Sequence, residues 1–286
     1  MLSHDYPVRQ VCRVWADARS RHDYHPRARV DTMRPAAIVP LAEAGPTYGD
    51  RRMTALRRRE DFQVHRQHVA RLMRDLGVQG QRPSRRPRTT HSDHAYPRDP
   101  HLVQGLTMVR PDHVWVGEIT SVRRRAEFVS LAVLMAVSTR GMRGWHLSRH
   151  LDQALTLTAL RRALAQHRPA IHHAAQGVQY AATAYMHTLQ AHGSQISMPA
   201  IGEATENGDA ERLMRTMKEE AVALHDYADF HEAYQSLGRF LDDVYQHKRI
   251  HSALGYLTPA EFETQWLEQN SMAVSMKLAP PRNGPT

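Results

Sequence analysis

The sequence changes character near residue 112, and the order of elements after that point constrains the fold more than any other feature. Segments rich in apolar and β-branched residues predict strands over 114–122, 127–137 and 141–148. Leucines and alanines at helical spacing then predict a helix over 152–167. The series continues with a short strand at 171–175, a helix at 183–192 and a short strand at 194–197. Three strands in a meander are thus followed by alternating helices and strands.

This order is that of an α/β protein with a ribonuclease-H-like core. A doubly wound sheet fits less well, because no glycine-rich phosphate loop follows the first predicted strand. Apolar residues make up 41% of the 286 residues and charged residues 23%. Such a composition predicts a globular protein, and the length leaves room for two or three structural units.

The region before this core predicts short helices with basic outer faces. A helix over 51–60 is followed by one over 64–76, whose apolar residues recur at helical spacing up to the stop at Gly77. Two short helices joined by a tight turn, the second one basic, are the outline of a helix-turn-helix, although a plain packing role fits the pattern equally well. The candidate DNA contacts on the second helix are Arg66, Arg71 and Arg74.

Residues 81–111 predict a linker, because the stretch 81–88 is basic, is punctuated by prolines and has no apolar periodicity. Its Arg85 and Arg86 are candidate contacts for a phosphate backbone, and a solvated spacer is compatible with that role. The predicted division is a helical DNA-binding region at 1–80, the linker, an α/β core at 112–267 and a disordered tail at 268–286.

The end of the core predicts a helical extension with clear start signals. Asp229 and Glu232 form one capping box, and Thr258 and Glu261 form another with a proline at the first helical position. A long helix over 230–250 follows from the first of these boxes.

Charge and cysteine content indicate the class of partner and the compartment. Lysine and arginine number 38 against 29 acidic residues, and a net charge of +9 favours nucleic acid or an anionic membrane surface. No segment approaches the roughly 18 apolar residues of a membrane helix, so we expect no membrane-spanning segment. Cys12 is the single cysteine, which excludes a disulfide framework and a cysteine zinc site. We therefore expect a cytoplasmic location and a nucleic-acid partner.

Three segments of the core resemble the motif blocks of insertion-sequence transposases of the retroviral-integrase type. They are VWVGEIT at 114–120, IHHAAQGVQY at 171–180 and NGDAERL at 207–213. The segment 247–262, HKRIHSALGYLTPAEF, resembles the C-terminal signature of the same family, in its second-reading-frame product. The resemblance extends from about Val8 to Trp266 and implies an integrase core with a helix-turn-helix region before it.

The resemblance also implies a chemistry, in which three carboxylates hold two Mg²⁺ ions that cleave and join DNA strands. The matching positions here are Glu118, Ala175 and Glu211, and 35 residues lie between the last two, a spacing typical of the family. Glu118 is one methylene longer than the family's aspartate, and an error of about one ångström in such a site can cost roughly 100-fold in rate. Ala175 offers no ligand atom.

Replacements for the missing ligand are poor. Neutral imidazole at His173 suits Mg²⁺ badly, Asp209 is expected to point away from Glu211, and Glu203 and Glu206 are loop acids. The metal candidates are therefore Glu118 and Glu211, with Mg²⁺ or Mn²⁺ as cofactor if the protein is active and none otherwise. Ala136 stands where the family's second strand usually carries an aspartate, and we expect this third change to lie near the same site.

Glu211, Arg215 and Lys218 share one face of the predicted helix. In the family this face meets DNA, so Arg215 and Lys218 are candidate phosphate contacts. An intrahelical salt bridge between Glu211 and Arg215 is the simpler alternative. The apolar residues on the other side, Leu213, Met214 and Met217, are expected in the core.

Three functions remain open at this point. The first is a DNA-binding protein with a transposase fold that recognises insertion-sequence terminal repeats but does not cut them. The second is an active enzyme with a rearranged ligand set, namely Glu118, Glu211 and a loop acid such as Glu206. The third is a non-catalytic partner or inhibitor that co-assembles with an intact transposase through the helix 230–250. A homo-oligomer, or co-assembly with a related transposase, is expected in each case.

Overall fold

The computed structural model describes residues 8–14, 16, 37–81, 102–103, 105–124, 127–174, 177–198 and 208–278. Within these ranges, the side chains at 11, 124, 209, 210 and 271–278 are not described. Five predicted site residues therefore lie outside the described residues, namely Arg85, Arg86, Ala175, Glu203 and Glu206.

A five-stranded mixed sheet forms the centre of the protein. Its strands are β1 (Val114–Arg124), β2 (Glu127–Ala136), β3 (Met142–Ser148), β4 (Ile171–Ala174) and β5 (Gln195–Ser197). Their order is β3-β2-β1-β4-β5, with the first three antiparallel and with β4 and β5 parallel to β1. This topology confirms the predicted α/β core of the ribonuclease-H-like type.

Nine α-helices surround or precede this sheet in the described residues. They are α1 (Val8–Val14), α2 (Val39–Ala44), α3 (Asp50–Arg59), α4 (Arg66–Asp75), α5 (Gln153–Leu164), α6 (Thr183–Ala191), α7 (Gly208–Met217), α8 (Phe230–Arg239) and α9 (Pro259–Leu278). Two of them continue as π-helical segments, α7 over Lys218–Val222 and α8 over Phe240–Lys248. None of the helices described is both long and apolar enough to cross a membrane.

The two faces of the sheet are covered by different helices. Side chains alternate along a strand, so odd and even positions of β1 enter different cores. Trp115 packs with α5 and α6 on one face, whereas Val114 and Val116 pack with α7 and α8 on the other. Burial of these apolar residues on both faces stabilises the sheet, at about 25 cal/mol for each Å² removed from water.

The helical module before the core, formed by α2, α3 and α4, has a small core of its own. It includes Ile38, Met53, Val69 and Leu72, and Ile250 from the far end of the chain packs into it. Helices α3 and α4 confirm the predicted helix pair. Helix α2 was not predicted, because it has only six residues with a proline near its start.

A buried ion cluster joins this module to the core. Arg249 is 5% exposed and donates to both carboxylate oxygens of Glu220, at 2.7 and 2.8 Å. Arg52 of α3 approaches the same carboxylate at 3.3 Å. Because Glu220 lies in the π-helical continuation of α7, three distant segments meet at one carboxylate.

Three sequence predictions need correction. The last part of the linker predicted at 81–111 belongs to the core instead. Leu102, Val103, Leu106 and Met108 pack against the core, and the Leu102 N–H donates to Ser197 Oγ at 2.9 Å. Residues 82–101 lie outside the described residues. The first part of the tail predicted at 268–286 is instead helical, because α9 runs to Leu278, and residues 279–286 lie outside the described residues. Nothing in the sequence interrupts this helix, since no glycine or proline occurs between 260 and 279.

The third correction concerns the segment 230–250, which was predicted as an interface. Its apolar side is buried in the protein's own core, where Ala233, Leu237, Leu241 and Tyr245 pack beneath the sheet. The segment is also divided into α8 and a π-helical part. The apolar face of this segment is therefore already covered and is not available as an interface for co-assembly.

Candidate active site

Strand β1 places Glu118 on the face of the sheet that α7 covers. Val116, two residues earlier, belongs to the core cluster that contains Leu213 and Met217 of α7. Glu118 pairs with Val133 of β2 and is partly buried. Its Oε1 accepts a hydrogen bond of 3.4 Å from the backbone N–H of Ile119.

Glu211 lies on the exposed side of α7 and acts on the ionisation of Glu118. Burial raises the pKa of Glu118 from 4.5 to about 7, and the negative charge of Glu211 also raises it. The N–H of Ile119 and the ammonium of Lys218 oppose this rise. The structure therefore brings together two of the residues that the motif blocks predicted for the triad. Leu213, Met214 and Met217 are buried, as predicted.

The third position follows β4 directly. Ala174, the last residue of β4, pairs with Gly117, the neighbour of Glu118 in β1. Ala175 is covalently bonded to Ala174 and lies outside the described residues, as do the loop acids Glu203 and Glu206. The side chain of Asp209 is likewise not described.

A buried polar cluster fixes β4 against β1 on the opposite face of the sheet from Glu118. His172 Nε2 and the Tyr185 hydroxyl are 3.0 Å apart. A Cβ atom at position 117 would lie 3.0 Å from His172 Cε1 and 3.1 Å from Tyr180 Cε1, so the close approach requires glycine. Burial lowers the pKa of His172 to about 3, and the charge of a protonated His173 contributes a smaller part. The imidazole of His172 is therefore neutral at neutral pH. Sequence reasoning missed this cluster, although Gly117 and Tyr180 both lie in the motif blocks.

The two histidines of β4 have protein partners. His172 contacts Tyr185, and His173 Nδ1 lies 2.9 Å from Ser197 Oγ in β5. Both rings are 1% exposed. Both residues are therefore packed in the interior of the protein, between β4 and its neighbours.

Comparison with known proteins agrees with this geometry. Residues 37–86 match a family model described as an HTH-like domain, and residues 109–204 and 192–259 match two models described as an integrase core domain. The transposase for insertion sequence element IS629 of Shigella sonnei is 30% identical over 218 residues, which cover 76% of this chain and 73% of that protein. The chain belongs to the insertion-sequence transposases with an integrase core.

Other known proteins are similar over different shares of this chain. An uncharacterized 31 kDa protein of insertion element IS600 from Shigella sonnei is 28% identical over 267 residues, with 90% of this chain and 98% of that protein covered. Among solved structures, the catalytic core domain of HTLV-2 integrase in complex with magnesium has 13% identity and a TM-score of 0.46, over 54% of this chain and 98% of that chain.

Ala136, which stands where the family's second strand usually carries an aspartate, was expected near the Glu118 site. The structure places it elsewhere. Ala136 pairs with Trp115 and belongs to the core cluster under α5, on the opposite face of the sheet from Glu118. The expectation was wrong because the face of a β2 residue depends on the hairpin register, which pairs Glu118 with Val133. A side chain at position 136 therefore lies on the other face of the sheet from Glu118.

The basic residues near the site and on α4 differ in their surroundings. Arg215 and Lys218 are exposed beside Glu211, and in the part of the chain that the structure describes no ion pair joins Glu211 to Arg215. Arg71 and Arg74 are exposed on α4. Arg66 is exposed as well, but it forms an ion pair with Asp50 of α3.

A second group of potential metal ligands has another role. Asp112, His167 and Glu263 place one ligand atom each within 4.8 Å of one another. Arg143, 2% exposed in its side chain, donates to Asp112 at 2.6 Å and to Glu263 at 2.7 Å. Burial alone would raise the pKa of Asp112, but hydrogen bonds from His167 and Arg143 hold it well below its usual range. The guanidinium of Arg143 thus pairs with both acids, and the cluster fastens α9 to the core.

Proposed function

We propose that this transposase-fold protein binds DNA at the ends of an insertion element and does not cut it. The observation that supports this most is the meeting of Glu118 and Glu211 beside the end of β4, where the next residue in the sequence is an alanine. A fold that still assembles the site but lacks its second carboxylate favours binding without catalysis.

The acidic side chains that the structure describes at this site do not fit a pair of Mg²⁺ ions. Mg²⁺ requires near-octahedral oxygen ligands, and a two-ion site needs carboxylates that reach both ions. Glu118 and Glu211 are two acidic side chains for two ions, and Glu118 is longer than the family's aspartate. The raised pKa of Glu118 also means that part of the population carries a proton there at neutral pH.

DNA binding is supported by charge and by the helical module. The net charge is +9, and Arg71 and Arg74 are exposed on the second helix of an HTH-like domain. Arg215 and Lys218 add positive charge beside Glu211. The relatives named as transposases for insertion elements favour terminal-repeat DNA as the partner. On this DNA we propose a homo-oligomer or a co-assembly with a related transposase.

The proposed division of labour follows the chain. We assign DNA recognition to the region 1–80 and the inactive integrase core to 112–267. The contacts of Glu220 with Arg52 and Arg249 support a fixed arrangement of the two regions. The basic segment between them, with Arg85 and Arg86, is proposed as an additional backbone contact.

Strand cleavage and strand transfer test the proposal. The substrate is a duplex that carries the terminal repeats of the element that encodes the protein, with Mn²⁺ present. We expect no product from the natural protein and product from the Glu118→Asp/Ala175→Asp variant, lost again when Glu211→Gln is added. Product from the natural protein that Glu211→Gln abolishes would instead establish an active enzyme with a rearranged ligand set.

A further inference from the structure

An arginine-rich cleft of about 560 Å³ lies between the helical module and the C-terminal segment of the core. Four arginines line it, three from α3 and one from the start of α4, and a turn from the other end of the sequence forms the facing wall. The residues that define this cleft are Arg51, Arg58, Arg59, Arg66, Gly255 and Tyr256.

Direct contacts hold the two walls together. Arg59 donates a hydrogen bond of 2.9 Å to the carbonyl oxygen of Tyr256 and forms an ion pair with Glu261 of α9. Behind the cleft, the backbone N–H of Ile250 donates to the Tyr48 hydroxyl at 3.3 Å. The cleft therefore exists only when the helical module and the C-terminal segment are both present.

The charges in the cleft are only half balanced. Arg66 is paired with Asp50, and Arg59 with Glu261. Arg58 donates through Nε to the neutral carbonyl oxygen of Val64 at 3.1 Å. Arg51 is exposed, and within the described ranges neither Arg51 nor Arg58 forms an ion pair. Two guanidinium groups with uncompensated charge thus face one concave surface.

The facing turn has an unusual backbone. Gly255 and Tyr256 both have φ values in the left-handed region, +65° and +64°. Glycine adopts this conformation readily, whereas a tyrosine there is uncommon and is held by its surroundings. Here the N–H of Tyr256 donates to the carbonyl oxygen of His251 at 2.8 Å, which fixes an aromatic residue beside the arginines.

We propose that this cleft holds the phosphate backbone of DNA, with Arg51 and Arg58 as its principal contacts. Guanidinium groups bind phosphate oxygens through paired, charge-assisted hydrogen bonds. Arg66 at the start of α4 places the cleft next to the helix whose exposed face carries Arg71 and Arg74. A duplex contacted by α4 extends over the cleft, so that it contacts the helical module and the Gly255–Tyr256 turn together. This inference rests on the proposed DNA binding.

Fluorescence anisotropy with the full chain and a labelled duplex of roughly 30 base pairs tests it. The variants are Arg51→Glu and Arg58→Glu. The matched control is Arg161→Glu on α5, the helix on the face of the sheet opposite to α7. Arg51 and Arg161 are both exposed, so the same charge change is made at two places. We expect Arg51→Glu to weaken binding about tenfold or more and to reduce the salt slope of log K by about 1, as for one lost phosphate contact. The control should change affinity less than about twofold.

The possible failures are distinguishable. If the natural protein binds DNA and both cleft variants bind as the control does, the cleft is wrong and DNA binding stands. If the natural protein does not bind duplex DNA even at low salt, the cleft and the proposed function both fail. A photo-cross-linking residue at position 51 adds a readout that does not depend on stability. It should label DNA, whereas the same residue at position 161 should not, and equal labelling would overturn the proposal.

Discussion

Replacement of Glu118 by glutamine should stabilise the protein at alkaline pH and not at acidic pH. The side chain is partly buried beside Glu211, and its pKa in the folded protein is about 7 rather than 4.5. Below pH 4.5 the carboxyl group is protonated in both the folded and the unfolded chain, so it does not affect stability. Between pH 4.5 and 7 the unfolded chain releases this proton while the folded protein retains it, so stability falls as pH rises.

The size of the effect follows from the same pKa. A tenfold change in an acid constant corresponds to about 1.4 kcal/mol, so a rise from 4.5 to about 7 corresponds to at most about 3 kcal/mol. Water at the open side of the site reduces this value. Glutamine has nearly the same volume and does not ionise. The free energy of unfolding of Glu118→Gln, relative to the natural protein, should therefore increase by up to about 3 kcal/mol between pH 4.5 and pH 8.

Thermal unfolding followed by circular dichroism measures this difference. For a chain of this size about 3 kcal/mol corresponds to roughly 6 °C in the midpoint, if each kcal/mol shifts it by about 2 °C. The control is Glu268→Gln, which removes an exposed carboxylate on α9 that does not act on the pKa of Glu118. For the control, we expect the difference in midpoint from the natural protein to be the same at every pH. If the difference for Glu118→Gln is also independent of pH, the account of Glu118 is refuted.

Two further substitutions test the packing that positions the site. At Gly144 of β3, an added Cβ would lie 2.5 Å from the carbonyl oxygen of Ala159 in α5, so Gly144→Ala should lower the free energy of unfolding by about 1–3 kcal/mol. Gly208→Ala, where nothing lies within 4 Å of the added atom, should not lower it, and equal urea midpoints for the two variants would contradict this reasoning. Glu220→Gln leaves the buried Arg249 without its carboxylate and should lower the free energy of unfolding by about 3–5 kcal/mol in the same assay. A loss no larger than that of the exposed control Glu268→Gln would show that the ion cluster contributes little.

The sequence predicts the core well because its signals are local. Alternation along β1 and β2 and helical spacing in α5 and α6 depend on residues a few positions apart, and the strands begin and end within about two residues of the predicted bounds. The motif blocks then predicted that Glu118 and Glu211 belong to one site, and the structure places the two carboxylates within electrostatic reach. The DNA contacts of Arg71, Arg74, Arg215 and Lys218 stay predictions.

Features that depend on distant residues were not predictable in this way. The face occupied by Ala136 depends on the register between β1 and β2, which no local pattern gives. The helix that carries Glu211 changes to π-helical geometry at Lys218, so helical spacing no longer describes its faces there. The cleft beside Tyr256 joins segments about 200 residues apart, and only the folded chain brings them together.

The number of Mn²⁺ ions bound tests the central claim most directly, because it does not depend on knowing the DNA sequence. Bound Mn²⁺ is counted by electron paramagnetic resonance on the full chain. The natural protein and its Glu211→Gln variant should bind the same number of ions, so that no bound ion depends on Glu211. The Glu118→Asp/Ala175→Asp variant should bind two ions that depend on Glu211, since a two-ion site needs the restored carboxylate. Two ions bound by the natural protein and lost in Glu211→Gln would contradict the claim that the alanine at position 175 has removed the catalytic site.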